Sequence, residues 1–242
     1  MAPVRIFDAD NMASFATTSP GPRNDQIGNK LFELLIACLA MTFSNDVELE
    51  KPRGGRSSNN PDVLLTYAGE RWSLACKTLD SENPRTLVDR VNDGVVQIEK
   101  CVSCRHGIVV VNWKTLLPHE QLWPRSSSPG QSTTYEAYND EKEPRRILES
   151  FYAKHVQRLI DEGHAVNLEQ EVFAGRAKAR PFIANFVHGV GLVRQEGETR
   201  VSVVTFIMRY QVGRQLRQKI SKPVFRAAKR ISDDLTRASQ WR

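Results

Sequence analysis

Apolar positions along the chain fall into alternating blocks of helical and strand spacing. Between about Asp25 and Phe43, Ile27, Leu31, Leu34, Leu35, Cys38 and Leu39 share one helical stripe. Beyond Leu31 this helix is apolar nearly all round, which predicts burial on more than one side. Glu33 is the only charge there, and a buried carboxylate is costly unless it is paired or binds a cation. Residues 45–50 read as a short strand and 51–61 as a basic loop. Residues 61–79, "PDVLLTYAGERWSLACKTL", read as a hairpin turning at Ala68-Gly69-Glu70. Residues 83–102 set Leu87, Val91, Val95, Ile98 and Val102 on one helical face. The continuous apolar run 106–113 predicts a strand buried on both faces. The order up to Trp113 is therefore α-β-β-β-α-β.

The second half repeats these signals less regularly. Residues 1–24, with "TTSPGPR", read as a flexible leader, and 118–144 as a polar loop or insertion with little core of its own. Residues 145–163 predict a helix ending at Gly163. "FIANFVHGVGLV" and "TRVSVVTFIMRY" predict two strands joined near 195–198. The tail reads as helix, its last segment starting at Ser221 and Pro223 with Val224, Ala228, Ile231 and Leu235 buried. A core over 25–117 and a basic α+β extension over 145–242, packed together as one structural domain, follow from this layout.

Composition narrows the class. Among 242 residues, 40% are hydrophobic and 26% charged, the balance of an ordinary globular protein. The longest apolar run, Leu31–Phe43, is too short to cross a bilayer. The N-terminus lacks the basic-then-apolar build of a signal peptide. The expectation is a cytoplasmic protein with no membrane association and four reduced cysteines, Cys38 and Cys76 among them in the core. Cys101-x-x-Cys104 lacks a second ligand pair for zinc, and the five histidines show no metal-ligand spacing. Charge is segregated: residues 1–144 carry 15 Lys+Arg against 19 Asp+Glu, and residues 145–242 carry 19 against 9. An acidic half able to hold cations, followed by a basic half able to neutralise phosphates, fits a nucleic-acid enzyme.

The hairpin carries the candidate chemistry. Alternation along a strand points Trp72, Leu74 and Cys76 one way and Ser73, Ala75 and Lys77 the other, so Lys77 shares a face with position 75 rather than with the core. A lysine in an otherwise apolar strand is either an edge guard or a functional group. Phosphodiester hydrolysis calls for a divalent cation held by hard oxygen ligands, with a lysine nearby to orient the nucleophile or offset charge.

Over roughly residues 25–113, the helix bearing Glu33, the strand opened by Pro61-Asp62, the Ala75-Cys76-Lys77 run and the element order resemble the PD-(D/E)XK, or restriction-endonuclease-like, nucleases. The resemblance implies an α/β fold with an αβββαβ core, a mixed central sheet flanked by helices, here with a C-terminal α+β extension. It implies Asp62 as the central Mg2+ (or Mn2+) ligand, joined by Glu33 and the backbone carbonyl of Cys76. Lys77 would position the attacking water, and Gln97 matches a glutamine that some members place on the following helix, although it lies on the polar face with Asp93 and solvent exposure explains it equally well. Arg53 and Arg56 on the basic loop, with Arg214, Arg217 and Lys222 near the C-terminus, are the expected DNA contacts.

Ala75 departs from the pattern, which puts Asp or Glu there. Three explanations stand: an engineered replacement of a glutamate, a carboxylate supplied instead by Asp93 or Glu99, or a non-catalytic nucleic-acid-binding pseudonuclease. The expected activity is restriction-type, Mg2+-dependent hydrolysis of DNA, duplex rather than single-stranded, by a homodimer. With position 75 vacant, the chain as written is expected to be inactive or nearly so.

Overall fold

The computed structural model describes residues 26–49, 61–124, 135–140, 142–213, 216 and 220–239. Helix α1 (Gln26–Ala40) leads into the short strand β1 (Val47–Leu49). The expected hairpin is β2 (Val63–Tyr67) and β3 (Glu70–Thr78). Its two-residue turn holds both Ala68 (φ 51°) and Gly69 (φ 77°) in the left-handed region, where the twist of the turn matches that of the strands. Helix α2 (Pro84–Lys100) is capped by the Asn83 side chain, which accepts from the Arg85 N–H. It crosses over to β4 (His106–Asn112), which is buried along its whole length. After a 3-10 turn come α3 (His119–Leu122), α4 (Lys142–Asp161) and α5 (His164–Asn167), then the long hairpin β5 (Ala179–Gln195) and β6 (Glu198–Gln211), then α6 (Lys222–Ala238).

All six strands form one sheet in chain order, β1-β2-β3-β4-β5-β6. The β3–β4 and β4–β5 pairs are parallel and the other three antiparallel, so this is a mixed, open α/β sheet. Helices cover both faces. On one, Phe32 and Ile36 of α1 and Ile231 and Leu235 of α6 pack with Trp72, Leu74, Val110 and Phe186. On the other, Val91 and Val95 of α2 and Leu148 and Tyr152 of α4 pack with Ala75, Val109, Ile183 and Phe206.

Several expectations from the pattern need correction. The segment expected as an extension supplies two strands to the same sheet as the hairpin. The 118–144 segment is not coreless: Leu122 is fully buried, and the Trp123 indole donates to the Val190 carbonyl at 2.6 Å. Helix α2 ends at Lys100, because Cys101 adopts an extended backbone, and Val102 is left 96% exposed. Helix α1 buries one side only, leaving Ile27, Leu31, Leu35 and Cys38 exposed. The Ser73–Ala75–Lys77 face of β3 is covered by α2, so it too belongs to the core. The expected leader lies outside the described residues, as do residues 125–134 of the expected loop. No helix among the described residues is long and apolar enough to cross a membrane.

Close helix-to-sheet packing relies on Gly107, where a Cβ would stand 2.3 Å from Ser73 Oγ and 2.7 Å from Ile98 Cγ2. Gly107→Ala is expected to destabilise the protein by about 1–3 kcal/mol, since overpacked cores must shift backbone or rotamers. A urea titration checks this; an unchanged midpoint would contradict the packing described.

Candidate active site

The site forms where β2 and β3 part. Their last pair at this end is Val63↔Leu74, so Cys76 lies beyond the start of β2. Pro61 has no N–H and cannot extend the ladder. Asp62 fills the gap with its side chain: Oδ2 accepts the Cys76 N–H at 2.6 Å. The Asp62 carboxylate is thereby held at the mouth of the sheet while only 7% of the residue remains exposed.

Lys77 follows on the face that α2 covers. Its Nζ donates to Gln97 Oε1 at 2.6 Å, and Gln97 Nε2 reaches Asp62 Oδ1 at 3.5 Å. Gln97 thus bridges the lysine and the aspartate with its two amide ends. Contrary to the exposed polar position its spacing allowed, it is buried. Glu33 arrives from α1, where its carboxylate is paired with Lys30 at 2.6 Å. Four side chains from four separate elements therefore converge: Glu33, Asp62, Lys77 and Gln97. Lys30 joins them by its i, i+3 spacing on α1, a signal visible in the sequence but not read there.

Burial sets the electrostatics of the cluster. Burial, and next the charge of Asp62, push the Glu33 carboxyl up to about 7, against the pull of Lys30 and Lys77. Burial also raises Asp62, while Lys77, the Cys76 N–H, Lys30 and Gln97 hold it down. The buried Cys76 thiol is pushed well up, first by burial and then by the two carboxylates. A divalent cation would relieve the strain on both carboxylates, and the hard oxygen donors of Asp62 and Glu33 suit magnesium or manganese. Among the described residues, no group of three or more His, Cys, Asp and Glu side chains is placed to hold a metal, so the donor set stops at two carboxylates plus backbone.

Position 75 explains the missing third. Ala75 is completely buried, and a Cβ on Gly94 of α2 would touch the Ala75 Cβ at 3.4 Å. Helix α2 therefore lies close against this strand, and the small residues at 75 and 94 make that approach possible. Of the two substitute carboxylates, Glu99 is committed elsewhere. It accepts the backbone N–H groups of Ala177, Lys178 and Ala179 at 2.8–3.2 Å, which lower its pKa despite its partial burial. Asp93 is exposed and stands one helical turn before Gln97, on the same flank of α2.

The expected DNA contacts Arg53, Arg56, Arg214 and Arg217 lie outside the described residues. Lys222 is the exposed first residue of α6. A separate hollow lined by His119, Glu120, Trp123, Pro124 and Tyr135 shares no residue with the Asp62 cluster. Comparison with known protein families, with curated proteins and with solved structures finds no match to this chain.

A carboxyl whose pKa is higher folded than unfolded binds its proton more tightly in the folded state, so stability falls as pH rises between the two values. For Glu33 that window runs from 4.5 to about 7. Relative to Glu33→Gln, the unmodified protein should lose on the order of 2–3 kcal/mol of stability across it. Urea unfolding at pH 4.5 and pH 7.5 measures the difference; parallel profiles for the two proteins would contradict the burial and pairing assigned to Glu33.

Proposed function

We propose that this chain is a Mg2+-dependent endonuclease acting on duplex DNA, with a site weakened by the alanine at position 75. The observation that carries the reading is the bonded series Lys77–Gln97–Asp62 with Glu33 alongside. A half-buried lysine bridged to a buried carboxylate, where two strands separate, has little structural use and is suited to a reaction on a charged substrate.

Asp62 and Glu33 would hold the cation. The N–H and C=O of one strand residue open to the same edge, so the Cys76 carbonyl faces the gap that Asp62 bridges and is available as a third oxygen. When bound, such an ion stabilises charge developing on a phosphate and lowers the pKa of water. Lys77, fixed by its bond to Gln97, offers an ammonium to the phosphate or to an incoming water. Gln97 keeps the Lys77 head near Asp62 rather than collapsed onto it. Asp93 is the acidic side chain we assign to the role that position 75 leaves open, since Glu99 is bound to backbone. The basic second half, 19 Lys+Arg against 9 Asp+Glu, would supply phosphate contacts outside the centre.

A non-catalytic DNA-binding protein is the second reading, and the Ala75–Gly94 contact favours it. The alanine fits this packing as a native residue would, and the third carboxylate is absent from the strand.

Plasmid cleavage with Mg2+ or Mn2+ separates the two. On the first reading the chain nicks plasmid slowly, and Asp62→Asn, Lys77→Ala and Asp93→Asn each reduce the rate by about 100-fold or more, the scale of removing one electrostatic group from a catalytic centre. No cleavage by this chain or by Ala75→Glu, with DNA affinity retained, would establish the binder instead. No cleavage and no binding would overturn both.

A further inference from the structure

The β5–β6 hairpin runs on past the end of β4, and the fold guards it on one side only. Beyond the last β4–β5 pair, at Asn112↔Phe186, the outer edge of β5 still finds partners. Val190 O accepts from the Trp123 indole, Leu192 O accepts from the Tyr138 N–H, and the Arg194 N–H donates to Tyr138 O. One face is covered as well: Gly189 lies under Leu148 and Leu122, and Gly191 under Pro144, so closely that a Cβ on Gly191 would stand 2.7 Å from Pro144 Cγ.

The other edge and the other face are open. Strand β6 ends the sheet; α6 meets its outer edge at Ile207, whose carbonyl accepts from Thr236 Oγ1 at 3.4 Å, and among the described residues no strand pairs with that edge. On the uncovered face, Val201 and Val203 are each 61% exposed, opposite the half-buried Leu192 and Val190. A long edge strand rich in β-branched residues, with no proline or lysine in it, is a ready template for another strand.

We infer that the occupant is a second copy of this chain, with β6 pairing antiparallel to β6 of its twin across a two-fold axis at Ser202. The uncovered face of β6 reads Thr199, Val201, Val203, Thr205, the same in both directions about Ser202. An antiparallel twin therefore sets valine against valine and threonine against threonine, both favourable cross-strand pairs. A two-fold interface requires this self-complementarity. Charge agrees: the hairpin tip, residues 194–200, holds Arg194, Glu196, Glu198 and Arg200, a net of zero in a chain of net +6. A neutral tip has no attraction for a polyanion. The inference stands on the hairpin alone and is independent of the nuclease reading.

Sedimentation velocity of the full chain at tens of micromolar tests it, beside the double variant Val201→Lys, Val203→Lys, which sets lysine against lysine at the axis. The expected result is a dimer for the unmodified chain and a monomer for the variant, with the circular dichroism spectrum unchanged because both side chains are largely exposed. Hydrogen exchange of the unmodified protein gives a second readout that needs no variant: the outward amides of residues 199–205 should gain at least tenfold protection between nanomolar and micromolar concentration. A monomer at all concentrations, a dimer that survives both lysines, or outward amides that exchange freely within a dimer would overturn the proposal.

Discussion

A single hydrogen bond, from the Cys76 N–H to the Asp62 carboxylate, governs how the rest of the site is arranged. It exists because the β2–β3 ladder stops at Val63↔Leu74 and Pro61 cannot prolong it. A carboxylate takes the place of a backbone partner, and so a charge is carried into the sheet where only amides would otherwise reach. Once it is there, burial makes it costly, and the neighbouring groups follow from that cost. Lys77 and Gln97 lie against it, and Glu33 from α1 adds a second carboxylate whose pKa burial also raises.

Packing and chemistry compete at the centre of β3. Cys76 faces the α1–α6 layer and Ala75 faces α2, while Lys77 stands at the margin where α2 turns its Gln97 flank toward the opening. Gly94 lets α2 come close to Ala75, which tightens the core around a small residue on the strand. The strand is left with one carboxylate fewer for the cation site proposed. Glu99, two residues past Gln97, is drawn off to clamp the start of β5 through three backbone N–H groups, so the helix spends that carboxylate on the fold. Asp93 remains exposed on the flank that Gln97 occupies.

Much of this was legible in the chain because local signals and tertiary structure agree. The 3.6-residue stripe of α2, the hairpin with its Ala-Gly turn and the unbroken apolar run of β4 all form where their patterns place them. Asp62 and Lys77 stood out because charges within apolar strands are conspicuous. What was not legible depends on long-range contacts. Helical spacing puts Gln97 on a polar face, and only the approach of Asp62 and Lys77 from two strands makes that position buried. The all-round apolarity of α1 suggested burial on two sides, yet its second stripe stays open among the described residues, because apolar composition does not specify a partner. Val102 continued a periodic pattern that the extended backbone at Cys101 had already ended. That β5 and β6 join the same sheet as β2 and β3 could not be read from their sequences, since strand order is fixed by crossovers rather than by pattern.

The central claim is that Asp62 and Glu33 form a cation site steadied by Lys77 and Gln97. Titration calorimetry of the full chain with Mn2+ at pH 7.5, beside its Asp62→Asn variant, tests it most directly. The account predicts saturable binding by the unmodified protein that disappears in the variant while its fold, followed by circular dichroism, is kept. Equal binding by the two proteins, or none by either, would contradict it.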